Sequence, residues 1–140
     1  MQDVTITSMP RKGEDERGFV QEWKFDDGHQ ITVLSRKKGG HFGHHSHTGA
    51  DPSKDPERFF VLEGRVKVTW WDANNEKREA EMKGGDEILI PKDVPHCFDS
   101  LEDCWFLEYR VNHFDPSNVD AVEISSGLCD QIIHRDYDAK

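Results

Sequence analysis

His45-Ser46-His47 is the pair in this sequence best suited to grip an ion. Residues i and i+2 of a strand face one side, so the two imidazoles form a chelating pair wherever that side is the inside of a barrel. Glu57 follows after a loop and shares strand parity with Phe59 and Val61. His96 comes later, directly after Pro95, whose fixed φ helps set the start of a strand. Three imidazoles and a carboxylate are a donor set for Zn, Fe, Mn, Ni or Cu. A His-x-His alone describes two solvated surface histidines equally well. Here it is the joint spacing that favours a metal. His41 shares parity with His45 and is expected at the barrel mouth, whereas His44 is expected to point away, to the surface or an interface. His29, His113 and His134 fall in turns or the tail and read as solvated.

These side chains need strands to hold them. Turn residues punctuate the sequence, and short apolar runs lie between them, with no helical periodicity across residues 30–111. The pattern predicts an all-β barrel or sandwich with strands over 19–23, 30–35, 42–47, 58–62, 65–72, 77–82, 86–90, 96–100 and 105–111. Asp72-Ala73-Asn74-Asn75 reads as a hairpin turn. Residues 49–56 read as a surface loop by composition. The tail holds Phe114-Asp115-Pro116, then residues 121–124, then Gln131-Ile132-Ile133, and reads as an ordered extension with one strand or a short helix. Phe59-Phe60-Val61-Leu62, Ile88-Leu89-Ile90 and Trp105-Phe106-Leu107 are apolar on both faces. Their outward side must be covered by a second sheet of the same chain or by a second copy, and a homodimer is expected.

Composition narrows the partners. The 140 residues are enough for one domain and carry a formal charge of -10, which disfavours nucleic acid. No apolar run approaches the length of a membrane helix, and the N-terminus lacks a signal-peptide pattern, so the expected location is cytoplasmic, away from the membrane. Cys97, Cys104 and Cys129 are an odd set without close spacing, which fits a reducing compartment rather than a disulfide framework. Cys97 adjoins His96 and should point the other way, where it reads as packing.

The full spacing runs Gly39, five residues, His45-Ser46-His47, then Glu57, six residues, Gly64, then Gly85, five residues, Pro91, and His96 five residues on. Over residues 39–100 the sequence resembles the cupin superfamily. The resemblance implies an antiparallel jelly-roll barrel (a double-stranded β-helix) with a divalent metal inside, and it places His45, His47, Glu57 and His96 on that family's four ligand positions. The sequence departs from the pattern in three places. The loop between His47 and Glu57 has nine residues and is longer than usual, Asp93 stands where a glycine is usual, and Ser100 stands where an asparagine is usual.

Three outer pieces extend the likeness: Asp15-Glu16-Arg17-Gly18-Phe19, Gly43 before the histidine run, and Phe114-Asp115-Pro116. Together they look like the C-terminal cupin domain of bifunctional capsular-polysaccharide enzymes that epimerise a nucleotide-linked keto-sugar, and more distantly like the sugar-nucleotide isomerases and epimerases of the same barrel. A reductase domain precedes the cupin in those enzymes. This sequence has neither a Gly-x-Gly-x-x-Gly nor βα alternation, so a stand-alone cupin domain is expected over 1–140, its core spanning about 30–111.

The implied chemistry is proton removal next to a ketone, helped by a metal acting as Lewis acid and by a side chain that shuttles the proton. The candidates for that shuttle are Tyr109, on the last strand, and His41, although Tyr109 also reads as packing with a bonded hydroxyl. Two other functions share the ligands. One is an Fe(II)-dependent dioxygenase, and the other is a non-catalytic metal- or sugar-binding module in which Trp23, Trp70, Trp71 or Trp105 stacks on a sugar ring.

Overall fold

The computed structural model describes residues 3–124 as eleven strands without a helix. Strand β1 is Lys12–Asp15, β2 Gly18–Lys24, β3 Gln30–Arg36, β4 His41–Ser46, β5 Glu57–Glu63, β6 Arg65–Trp71, β7 Lys77–Lys83, β8 Glu87–Ile90, β9 His96–Ser100, β10 Cys104–Arg110 and β11 Val122–Glu123. They pair into two antiparallel sheets, β1-β2-β3-β10-β5-β8 and β11-β4-β9-β6-β7. Nine of the eleven follow the apolar runs. The other two carry no apolar alternation and are held by backbone pairing, with Lys12 Nζ on Glu22 Oε1 at 2.9 Å beside β1. Lys12 pairs with Val20 and Asp15 with Gly18, so Asp15-Glu16-Arg17-Gly18 is a hairpin turn. Asp15 accepts the Arg17 amide at 2.8 Å. Gly18 has φ +140°, and a Cβ there would lie 2.0 Å from the Ser35 carbonyl oxygen, so only glycine fits the corner. Gln131-Ile132-Ile133, Cys129 and His134 lie outside the described residues.

The inward faces of the two sheets meet in one core that includes Val20, Leu34, Val61, Val66, Val68 and Met82. At its centre Phe42, Phe59, Phe98 and Phe106 pack face to face and at tilts, with centroids 5.1 Å (Phe42–Phe98), 5.3 Å (Phe42–Phe106) and 5.0 Å (Phe59–Phe106) apart. Truncating one of these rings costs about 3–5 kcal/mol. His96 stands edge-on to Phe98, 5.9 Å between centroids, so the aromatic core is the floor on which the histidines sit.

One irregularity decides which histidines share a face. Along β4 and β9, His41 pairs with Asp99 and Phe42 with Phe98, but His45 pairs with His96. Gly43 and His44 together therefore stand opposite Cys97, which is a β-bulge. Gly43 adopts φ +68°, and a Cβ there would come 3.1 Å from the Phe98 ring. The extra residue reverses parity. Phe42 faces the core on one side of the bulge, and His45 and His47 face it on the other. His41 is thus on the opposite face from His45, not beside it as simple alternation suggests.

His44 also departs from expectation. It points away from the pair, but it is fully buried rather than at the surface. The tail covers it: β11 pairs with β4, the Ile124 amide reaches the His44 carbonyl at 3.3 Å, and Ile124 packs with Trp71 and Cys97. Among the described residues the outward face of the first sheet has no such cover, and Leu62, Leu89 and Trp105 there are 50%, 46% and 40% exposed. Among the described residues no helix is long and apolar enough to cross a membrane.

Candidate metal centre

His45 and His47, from β4 and its end, meet His96 from β9, and one ring nitrogen of each lies within 4.8 Å of the others. All three are buried. Two of the rings are oriented from behind. His47 Nδ1 is 2.5 Å from the Asp120 carbonyl oxygen, and His96 Nδ1 is 2.9 Å from that of Val94. A carbonyl only accepts, so each Nδ1 carries the proton and each Nε2 presents its lone pair to the centre. Both Nε2 atoms are buried without a hydrogen-bond partner. Burial, followed by the neighbouring His96 and His47, holds His45 well below the usual imidazole range, in the neutral form that a metal needs.

Glu57, at the start of β5, stands beside two of the three imidazoles, although the mutually close ligand atoms are those of the histidines alone. Its Oε1 is 3.6 Å from His47 Nε2 and 3.5 Å from His96 Nε2. These separations are too long for hydrogen bonds, but two ligands on one tetrahedral ion stand about 3.4 Å apart. A cavity of about 20 Å³ bounded by His45, Glu57 and His96 lies over Phe42 and Phe59, room for one ion or water. The orphaned lone pairs, the carboxylate and the small cavity together fit a divalent ion.

The nine-residue segment before Glu57 does not loop out into solvent, contrary to its composition. Ser53 and Lys54 are buried. Lys54 Nζ sits 2.7 Å from Glu57 Oε2 and also bonds Glu108 Oε2. Glu57 thus turns one oxygen to the histidines and the other to an ammonium. Burial alone would push its carboxyl up, but Lys54 and then His47 hold it well below the usual range. Glu108, on β10, goes the other way, because burial and the adjacent Glu57 outweigh Lys54. Further pins fix the segment. Arg110 Nη2 bonds Asp51 Oδ2 at 2.5 Å, and Ser53 Oγ bonds Asn112 and accepts the Val111 amide. Asp120 accepts from the amides of Thr48, Gly49 and Asp51 while its carbonyl holds His47. The tail therefore positions both the long segment and one histidine. Asp93 amide donates to the His47 carbonyl at 2.7 Å and adopts φ +64°, a conformation that explains why glycine suits this position.

Sequence reasoning missed Lys54, Glu108 and Asp120. Glu108 had a signal: it shares parity with Phe106, so it is a charge on the inward face of an apolar strand. Tyr109 is on the outward face, with its hydroxyl on His29 Nδ1. His41 bonds Asp99 at 2.6 Å on the outer side of the other sheet. Neither joins the three imidazoles. Beyond His96 opens a second cavity of about 450 Å³, with walls mainly of Val68, Trp70, Ile88, Ile90 and Val94.

No protein-family model matches the sequence, and no curated protein matches it. Solved structures do. The chain is similar to the capsular polysaccharide assembling protein CapF from Staphylococcus aureus, at 23% identity and TM-score 0.71, over 85% of this chain and 32% of that one. A structure of CapF with the inhibitor 3-isopropenyl-tropolone is 25% identical, with TM-score 0.68 over 84% and 34%. Bacillus subtilis oxalate decarboxylase, described with Mn(II) centers, is 17% identical with TM-score 0.63 over 90% and 35%. The chain spans about a third of the length of each of these neighbours. The shared architecture is the cupin jelly roll, and the chain has that fold.

Proposed function

We propose that the chain is a metal-dependent cupin that epimerises or isomerises a carbohydrate, most simply a nucleotide-linked keto-sugar. The observation that carries this reading is the convergence of two orphaned imidazole lone pairs, a third neutral imidazole and Glu57 beside an apolar cavity that His96 also lines. A divalent ion held there supplies Lewis-acid polarisation of a carbonyl. The chain does the rest. Trp70 offers a ring face on which a sugar can stack, and the apolar walls exclude water from the substrate. Lys54 holds Glu57 ionised and fixes which of its oxygens faces the histidines. Neither Tyr109 nor His41 lines this cavity. Similarity to a capsular polysaccharide assembling protein supports the sugar over other carbonyl compounds. The reading includes a single cupin unit over 1–140, working in the cytoplasm as a homodimer, which the uncovered Leu62, Leu89 and Trp105 support.

The test is solvent-deuterium exchange. Protein purified without chelator is assayed for metal, then incubated with nucleotide-linked keto-sugars in deuterated water. Deuterium should enter the sugar with the loaded protein and not after chelation. Oxygen consumption with Fe(II) and no exchange would replace this reading with a dioxygenase. Sugar binding without exchange would leave a binding module.

A further inference from the structure

Strand β9 presents a second set of metal-binding groups on the face opposite the first. We infer that His41, Cys97 and Asp99 form a separate, thiolate-containing site for a transition-metal ion of the zinc class. One ligand atom from each lies within 4.8 Å of the others. The placement follows from the bulge. Cys97 and Asp99 are two residues apart on β9 and point outward, while His96 and Phe98 point inward. His41 lies opposite Asp99 in the register, and the parity reversal at Gly43 keeps it on their side.

The local chemistry suits an ion. His41 Nδ1 is 2.6 Å from Asp99 Oδ1, and its Nε2 is buried with no hydrogen-bond partner. Exchanging the proton shared by His41 Nδ1 and Asp99 for a cation makes both of them ligands beside Cys97. Thiolate, imidazole and carboxylate together favour zinc over the harder ions that an all-nitrogen-and-oxygen site accepts. The buried His44 ring, 5.5 Å from His41, stands beside the group. Lys67, opposite Asp99 on β6, has its ammonium on Glu79 at 3.3 Å. Ions can arrive through Asp99, whose side chain is 34% exposed. Trp71 and Ile124 pack on Cys97 from the other side.

This inference does not rest on the proposed enzymatic function, and the two fail separately. The full chain, reduced and stripped of metal, is titrated with Co(II) and followed in the near ultraviolet. A sulfur-to-cobalt charge-transfer band reports only a thiolate ligand, and the inner site has none. Binding of a second equivalent should bring the band. Cys97→Ser should abolish the band and that equivalent while leaving the other, and His41→Gln should weaken the second equivalent at least tenfold. Cys104→Ser and Cys129→Ser should keep the band. Should Cys97→Ser fold poorly, Asp99→Asn, at a half-exposed position, reads the same loss. Absence of the band in the unmodified chain, or its survival in Cys97→Ser, overturns the site.

Discussion

Replacing Lys54 by Met removes the ammonium between Glu57 and Glu108 and keeps much of the side-chain volume. Both carboxylates are buried, one 2.7 Å from Nζ. Losing one partner of a buried charge pair costs about 3–5 kcal/mol, because the remaining charge stays desolvated and uncompensated. For a domain of this size that corresponds to a fall in Tm of roughly 10–15 °C. The deficit should depend on pH. Glu108 already has a raised carboxyl pKa, since burial disfavours its anion. A raised folded pKa means the folded state holds the proton more tightly, so the penalty is absent below the unfolded value and grows as pH rises through the folded one. The variant should therefore lose most at pH 8 and recover much of the difference near pH 5.5. A divalent ion on Glu57 should also restore part of the loss, by mass action on the folded state. Calorimetry of chelated and metal-loaded protein at both pH values checks all three statements. A Tm at pH 8 within about 3 °C of the unmodified chain would refute the reasoning, because that is under a kcal/mol or so.

Three further outcomes are expected. His47→Ala should lose one equivalent of divalent metal whereas His44→Ala keeps it and loses about 1–3 kcal/mol of stability, as a fully buried side chain does; metal analysis and denaturation of the two variants side by side check this. Gly43→Ala forces a Cβ against Phe98 at φ +68°, which should cost about 1–3 kcal/mol and weaken metal binding by turning His45, read by melting and metal titration. The stability of the metal-free chain should rise with pH through 6.5, the ordinary value from which His45 is lowered, because the unfolded state binds the extra proton there; urea denaturation from pH 5 to 8 measures it.

The spacing of His45, His47 and His96 is legible because strand geometry turns a two-residue interval into a shared face, and the apolar runs locate the strands. That rule breaks where a bulge intervenes, and Gly43 gave only a weak sign that one does. Counting by twos groups His41 with His45, although the extra residue puts His45 on the core face and leaves His41 on the outer one. Strands β1 and β11 are invisible to periodicity, since backbone pairing to β2 and β4 makes them without any apolar face of their own.

The buried role of residues 48–56 is the deeper loss, and it has a physical cause. Gly-Ala-Asp-Pro-Ser-Lys-Asp-Pro has the composition of a solvated loop, and nothing local says otherwise. The constraint is global. Strand parity sends both Glu57 and Glu108 inward, and two buried carboxylates cannot both ionise without a compensating cation. Only one oxygen of Glu57 faces the histidines, so a metal held there would leave Glu108 uncompensated. A cation is therefore needed between the two carboxylates: Arg58 pairs outward with Glu87, and Arg110 reaches Glu108 Oε1 only at 4.0 Å while its Nη2 holds Asp51 at 2.5 Å. The long segment is the piece of chain that begins at His47 and ends at Glu57, both proposed ligands, and Lys54 is its one cation. Its extra length is what lets that ammonium fold back between the two carboxylates. Shortening the segment while keeping His47 and Glu57 should therefore reproduce the pH-dependent instability of Lys54→Met, even with every proposed ligand intact.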